Sequence, residues 1–169
     1  MRVKYFLPTS LIFISIACSI SYSFNGGKVP NGAKTIQIDY FQVSNSAPLA
    51  SGLSSQSFTE ALRDVFLSQT KLDIVSQNGD IVFNGEIVTY NIAPINISAA
   101  SETAAQNRLT LGVAVNYYIG ADSLVFDRQF KRFADYESTL DFSTIEEQLL
   151  AEINDQITQD IFNASLGDW

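Results

Sequence analysis

The chain has 169 residues, of which 46% are hydrophobic, and its 18 acidic and 10 basic residues give a net charge of −8. An excess of acidic residues this large disfavours nucleic acid as a partner, because phosphate backbones are bound by clustered lysine and arginine. The chain has no histidine, which excludes histidine-activated nucleophiles and ordinary zinc sites, and it has no glycine-rich phosphate loop. We therefore expect no catalytic residue, no metal and no cofactor.

The N-terminus has the charge order of a secretory signal peptide. Arg2 and Lys4 precede an apolar segment, residues 5–17. A membrane-spanning helix needs about 20 apolar residues, and this segment is well short of that. The only cysteine, Cys18, follows Ser-Ile-Ala, which resembles a bacterial lipobox with serine in place of the usual leucine. We expect residues 1–17 to be a lipoprotein signal peptide and Cys18 to be acylated; the alternative is an ordinary signal peptide with Cys18 as a buried thiol.

Residues 18–32 are rich in serine, glycine and asparagine, which is typical of a tether between an anchor and a domain. Removal of Arg2 and Lys4 leaves eight basic residues against 18 acidic ones, so anionic lipid would repel the domain. Membrane attachment must then come from acyl chains, each buried methylene contributing about 0.8 kcal/mol. Residues 33–169 are expected to form one domain.

The first part of the domain predicts a strand followed by a helix. Residues 33–40 alternate in polarity, which places Ile36, Ile38 and Tyr40 on one face of a half-buried strand. After a loop over 43–54, apolar residues recur at helical spacing; these are Phe58, Leu62, Val65 and Phe66. Three serines offer starts for this helix: Ser57 has capping-box spacing to Glu60, and Ser54 or Ser55 would begin it a turn earlier.

The middle of the domain predicts strands. Residues 72–75 are short and β-prone, and an Asn-Gly turn at 78–79 leads into a strand over 81–92. Pro94 is expected to end that strand because it cannot donate to the ladder. A loop over 95–107 follows.

The clearest strand alternates from Leu109 to Ile119, and its partner begins with Leu124, Phe126 and Phe130. Odd positions of the first strand and even positions of the second strand are expected to face inward. Because cross-strand partners share a face, the hairpin loop should have an even number of residues: 120–121, 121–122 or 120–123.

The last element is a long helix with an apolar residue every four positions: Ile145, Leu149, Ile153, Ile157 and Ile161. Ser143 and Glu146 have capping-box spacing at its start. Both helices carry one apolar stripe and need a shared surface. The sequence therefore predicts a two-layer α+β domain with a roughly four-stranded sheet and two helices on one face.

Three carboxylates remain for catalysis: Asp64, Glu146 and Glu147 could in principle act together. The favoured interpretation of Glu146 and Glu147 is that they lie in the first turn of the last helix and complement its dipole. An enzyme is therefore the least favoured class.

Six stretches of the chain, in this order and spacing, resemble the LptE family of lipopolysaccharide-assembly lipoproteins. They are YSFNGGKVPNGAKTIQIDYF from Tyr22, QSFTEALRDVFLSQT from Gln56, NGDIVFNGEI from Asn78, ETAAQNRLT from Glu102, FKRFADY from Phe130 and the terminal DIFNASLGDW. The resemblance covers nearly the whole chain after Cys18, and it implies a sheet with two helices packed on it.

The resemblance also implies a role without bond chemistry. Members of this family are lipid-anchored on the periplasmic side of the cell outer membrane, where they plug the β-barrel LptD, assist its assembly and help to insert lipopolysaccharide into the outer leaflet. We expect an LptD-type barrel as partner, lipopolysaccharide as a candidate ligand, and membrane contact through the N-terminal anchor. The alternative is a generic periplasmic lipoprotein that serves another outer-membrane complex as a scaffold or pilotin.

If lipopolysaccharide touches the domain, its anionic phosphates require a local cluster of cations. The candidates lie in the predicted hairpin region: Arg108, Arg128, Lys131 and Arg132. Arginine suits phosphate because its planar fork donates two hydrogen bonds. The competing interpretation is that these residues offset nearby carboxylates on a solvated face. Alternation would place Arg128 and Arg132 inward, which predicts an ion pair or a bulge between Phe130 and Phe133.

Overall fold

A computed structural model describes residues 29–30, 32–95, 105–120 and 122–167. Cys18, the signal segment, most of the tether and most of the predicted loop over 95–107 lie outside the described residues. Six strands and two helices follow in chain order: β1 (Thr35–Ile38), β2 (Gln42–Val43), α1 (Gly52–Gln69), β3 (Asp73–Val75), β4 (Ile81–Ile95), β5 (Gln106–Ile119), β6 (Ser123–Glu137) and α2 (Phe142–Leu166).

The strands form one mixed sheet in the order β3-β1-β4-β5-β6, with β2 beside β4. β1 is parallel to both β3 and β4, and β4, β5 and β6 form an antiparallel meander. α1 packs on β1, β2 and β3, whereas α2 packs on β5 and β6. The predicted α+β class is confirmed, although the sheet has six strands instead of roughly four, because β2 has only two residues and shows no alternation.

The core lies between the sheet and the helices. Phe83 of β4 is fully buried and stacks on Tyr117 of β5 at a centroid distance of 4.8 Å, and Phe66 of α1 contacts Phe83 at 4.9 Å. Phe162 of α2 lies 5.4 Å from Phe66. These four aromatic rings join both layers, so the apolar stripes of the two helices share one surface, as predicted.

The first strand and helix begin and end differently from the prediction. β1 ends at Ile38, so Tyr40 is 51% exposed and Phe41 is buried instead. α1 begins earlier than any of the three predicted starts, with Ser51 as its N-cap, and the backbone N–H of Ser51 donates to Ser54 Oγ at 3.0 Å. The predicted loop over 43–54 is shortened accordingly.

Two predictions about β4 and the hairpin are wrong. β4 continues through Pro94, which pairs with Asn107 of β5. Beyond Ile87, β4 pairs with β5 alone. The N–H that proline lacks would lie on the side of β4 that has no partner strand, so its absence breaks no ladder hydrogen bond. Ile119 pairs with Ser123, which leaves an odd number of loop residues.

A bulge in β6 restores the predicted facing of the hairpin. Tyr117 pairs with Phe126 whereas Tyr118 pairs with Leu124, so Val125 is the extra residue. Even positions face the helices from Phe126 onward, as predicted, but Leu124 lies before the bulge and is 53% exposed. The bulge predicted between Phe130 and Phe133 does not occur, since the register there is continuous.

α2 is capped by Asp141 instead of by the predicted Ser143 and Glu146 pair. Asp141 Oδ1 accepts from the backbone N–H of Ser143 at 3.0 Å and from its hydroxyl at 2.9 Å. The first turn of α2 carries no acidic residue, so the predicted dipole role of Glu146 and Glu147 is wrong. Glu146 instead accepts a 2.6 Å hydrogen bond from the Tyr90 hydroxyl, which ties α2 to β4.

Candidate partner-binding surfaces

The face of the sheet opposite the helices is polar, and no described helix or strand covers it. Cross-strand pairing over β4, β5 and β6 places its side chains in rows: Asn84, Asn116 and Asp127; Glu86, Ala114 and Gln129; Thr89, Gly112 and Lys131; Asn91, Thr110 and Phe133; Ala93, Arg108 and Asp135. Most of these side chains are amides, hydroxyls or charged groups. Such a surface is suited to contact with a polar surface of another molecule.

The middle of this face is held by close contacts between strands. Asn116 Nδ2 donates to Asn84 Oδ1 at 3.0 Å. A Cβ atom at Gly112 would lie 3.0 Å from Thr89 Cβ and 3.1 Å from Gln129 Nε2, so a larger residue at this position would require these two side chains to shift. The polar side chains are therefore ordered by their neighbours.

The four candidate cations lie on the last two strands of the sheet, β5 and β6, but divide between its two faces. Arg108 and Lys131 lie on the uncovered face, and Arg128 and Arg132 lie on the helix side, opposite Val115 and Leu111. Residues 128, 131 and 132 all belong to β6, which is the last strand of the sheet. The structure places three of the four residues on the edge strand and Arg108 on its neighbour β5, and it does not gather them into a single patch.

Arg108 is engaged by its own neighbours. Its Nε and Nη2 atoms donate to the two carboxylate oxygens of Asp135 at 2.7 and 2.8 Å, and its guanidinium lies 3.5 Å above the ring centre of Phe133. The hydrogen bond from Arg108 lowers the pKa of Asp135, and the same bond raises the pKa of Arg108. Both groups therefore stay charged across the physiological range.

Arg132 forms an ion pair with Asp160 of α2 at 2.7 Å, which is the arrangement predicted for an arginine on the helix side. Arg128 lies 5.3 Å from the ring centre of Phe126. Among the described residues, the ion pairs are those of Arg108 and Arg132. Arg128 and Lys131 thus carry charge that no described carboxylate neutralises directly.

The three carboxylates considered for catalysis do not share one site. Glu146 is bound to Tyr90; burial of Tyr90, followed by this hydrogen bond, raises the pKa of its hydroxyl far above the ordinary value. Asp64 and Glu147 line a groove between α1 and α2. No cluster of acidic, cysteine or histidine side chains within the described ranges is suited to a metal ion.

The groove itself was missed by the sequence analysis. The sequence of α2 contains an indication of this groove. Asn154 and Thr158 lie one turn apart, beside the apolar positions Ile153 and Ile157. Both polar residues are at most 1% exposed. Two polar residues at helical spacing in a buried column predict either a polar contact between helices or a binding site.

The fold and these surfaces define a two-layer α+β domain with a polar sheet face that no described element covers. None of the described helices has the length and apolarity required to cross a membrane. The family model for lipopolysaccharide assembly, LptE, matches residues 33–165. The chain belongs to this family, which makes it an outer-membrane lipoprotein of the lipopolysaccharide-assembly type.

Several solved structures share the fold at low sequence identity. A neuraminyllactose-binding hemagglutinin homologue from Helicobacter pylori is 12% identical, with 85% of this chain and 89% of that chain covered and a TM-score of 0.55. A Xanthomonas campestris protein is 11% identical, with coverages of 81% and 86% and a TM-score of 0.53. A minor lipoprotein from Acinetobacter baumannii is 14% identical, with coverages of 79% and 91% and a TM-score of 0.50. No curated protein matches the chain.

Proposed function

We propose that this protein is anchored through acylated Cys18 on the periplasmic side of the outer membrane and plugs an LptD-type β-barrel, whose assembly it assists. The observation that carries the proposal is the uncovered polar sheet face on a domain of the lipopolysaccharide-assembly family. A barrel wide enough to hold a plug has a polar, hydrated lumen. Amide and hydroxyl side chains on a rigid sheet can exchange water for hydrogen bonds with such a wall. The role involves no bond chemistry.

The test of the barrel partnership is affinity purification of the full lipidated chain from its native membrane in mild detergent. We expect an LptD-type barrel to be recovered in near-equal amount. Recovery of a different outer-membrane complex instead would favour a scaffold or pilotin. A chain that recovers no barrel contradicts the proposal.

The anchor has a separate test, because Cys18 lies outside the described residues. Intact-mass analysis of membrane-extracted protein should give a chain that begins at Cys18 and carries added diacylglycerol and acyl mass. Protease added to intact cells should leave the domain uncut if it faces the periplasm. A mature chain that begins elsewhere with a free thiol contradicts acylation.

Lipopolysaccharide contact at the β6 edge is proposed through the same four cations, with different roles. Arg108 and Arg132 are held by Asp135 and Asp160, so binding phosphate would require them to exchange partners. Arg128 and Lys131 need no such exchange, and we assign them the first contact.

The test replaces Arg128 and Lys131 with glutamate and measures binding of purified lipopolysaccharide. A matched control reverses Lys34 and Lys71, which are exposed and precede β1 and β3 at the opposite side of the sheet. We expect at least a tenfold loss of affinity for the first pair and little change for the control. Equal binding by both variants, with unchanged melting temperatures, would remove the β6 edge from the mechanism.

A further inference from the structure

A groove of about 600 Å³ lies between α1 and α2, and the described residues that line it all belong to these helices. Its rim carries four exposed carboxylates, Glu60 and Asp64 from α1 and Glu147 and Asp155 from α2. The described residues that line it include no lysine or arginine. The groove is therefore strongly anionic, and a docked segment with a cation would complement it.

Small residues keep the groove open. Ser57 and Ala61 of α1 and Ala151 of α2 lie where the two helices face each other, and their side chains are too short to fill the space. Leu53 is 43% exposed beside them. From Leu53 to Ser68 the α1 side of the groove extends about 22 Å at 1.5 Å per residue, which is about the length of seven extended residues.

A second and independent observation comes from Asn154. This side chain lines the groove and is only 1% exposed. Its Nδ2 donates to Ser57 Oγ at 2.8 Å, while its Oδ1 has no hydrogen-bond partner. Since a hydroxyl can donate or accept, turning the amide over would leave Nδ2 orphaned instead. A buried polar group without a partner costs stability, so Asn154 is poorly explained by the needs of the fold alone.

We propose that the groove receives an extended segment of the barrel partner that carries an arginine or lysine. The cation lies among the rim carboxylates, and an N–H of the segment donates to Asn154 Oδ1 after a small side-chain rotation. The identity of the partner rests on the proposed function. A bound metal ion is not supported, because the described carboxylates do not form a metal-binding group, whereas a peptide segment matches the length of the groove.

The first experiment reverses charge in the groove and compares two variants of the full lipidated chain. The groove variant is Glu60→Lys with Asp64→Lys. The control, Asp73→Lys with Glu152→Lys, makes the same change in net charge at exposed residues that do not line the groove. The barrel recovered in mild detergent is quantified by mass spectrometry. We expect at least a tenfold loss for the groove variant and less than a twofold change for the control.

Asn154→Leu tests the orphaned amide without a change in charge. We expect a severalfold loss of recovered barrel with little change in melting temperature, because the substitution removes the unpaired Oδ1 together with the hydrogen bond from Nδ2 to Ser57 Oγ. A photo-crosslinking side chain at Ala61 should attach to a barrel peptide that contains arginine or lysine. A crosslink to a peptide without either residue contradicts the proposal.

The outcomes separate this inference from the proposed function. If the wild-type chain recovers the barrel and both groove variants recover it equally well, the groove is not the docking site and the plug role stands. If the wild-type chain recovers no barrel, both proposals fall. If a groove variant loses the barrel and also melts at a lower temperature, the decision rests on the Asn154→Leu variant. If Asn154→Leu recovers as much barrel as the wild-type chain, the inference is overturned.

Discussion

The two faces of the same sheet differ completely although their residues alternate along the same strands. On the helix side, Phe83 is fully buried against Tyr117 and Phe66. One residue further along β4, Asn84 points to the uncovered face and pairs with Asn116. The pleat of the backbone imposes this division. The helix-covered face holds the fold together, and we propose that the opposite face serves recognition.

This comparison predicts that adjacent substitutions in β4 have very different effects. Phe83→Ala should lower the free energy of unfolding by about 3–5 kcal/mol, because it leaves a cavity where two aromatic contacts are lost. Asn84→Ala should cost about 1 kcal/mol or less, since it removes one partly buried hydrogen bond. Denaturant unfolding of the unlipidated domain measures both. Equal losses would mean that the two faces are not energetically distinct.

Gly85 tests how tightly the helix-covered face of the sheet is packed. A Cβ atom there would collide with the Ala114 carbonyl oxygen and lie 2.7 Å from the Phe41 ring. Gly85→Ala should therefore cost about 1–3 kcal/mol through overpacking. Gly52 in α1 has no atom within 4 Å of the added Cβ position, so Gly52→Ala should stabilise by about 0.4–1 kcal/mol. A stabilising Gly85→Ala would contradict the close packing.

Tyr90 links the covered face to α2 and predicts an alkaline weakness. Loss of its hydrogen bond to Glu146 in Tyr90→Phe should cost about 1 kcal/mol at neutral pH. Burial and this hydrogen bond raise the folded-state pKa of Tyr90 above the ordinary value of 10.0. The resulting stability is complete below pH 10.0 and is lost as pH rises toward the raised pKa. Melting curves above pH 10 should fall less steeply for Tyr90→Phe; parallel curves would contradict this assignment.

The smallest effects are expected from exposed carboxylates. Asp80 accepts from the backbone N–H of Lys34 at 2.9 Å and from the hydroxyl of Thr35 at 2.9 Å, and these bonds lower its pKa below 3.8. Its contribution to stability is complete above pH 3.8 and is lost as pH falls through the lowered folded-state value. Asp80→Asn should flatten the acid side of the stability curve and change neutral stability only slightly.

Asp135→Asn tests the same acid effect on the uncovered face, because the hydrogen bond from Arg108 lowers the pKa of Asp135. Asp135 accepts hydrogen bonds from Arg108 alone, whereas Asp80 accepts from two backbone N–H groups and a hydroxyl, so we expect a smaller acid effect than for Asp80→Asn. Thermal melting between pH 2 and pH 5 measures both variants. A larger effect at Asp135 would indicate that the uncovered face contributes to the fold as well as to recognition.

The sequence predicted the features that depend on local periodicity. The alternation of Leu109 to Ile119 and the four-residue spacing from Ile145 to Ile161 each fix which side is apolar, whatever surrounds them. The α+β class followed from those two patterns. The four candidate cations were located along one hairpin for the same reason, because register determines which residues are neighbours.

Tertiary structure alone decided what depends on distant partners. The passage of β4 through Pro94 and the bulge at Val125 depend on which backbone groups already have neighbours. The division of the cations between two faces, the Arg132 ion pair with Asp160 and the groove beneath Asn154 arise only when α2 is laid against β6 and α1. Local sequence determines which way each side chain points. Whether that side chain makes a contact depends on which other element packs against it.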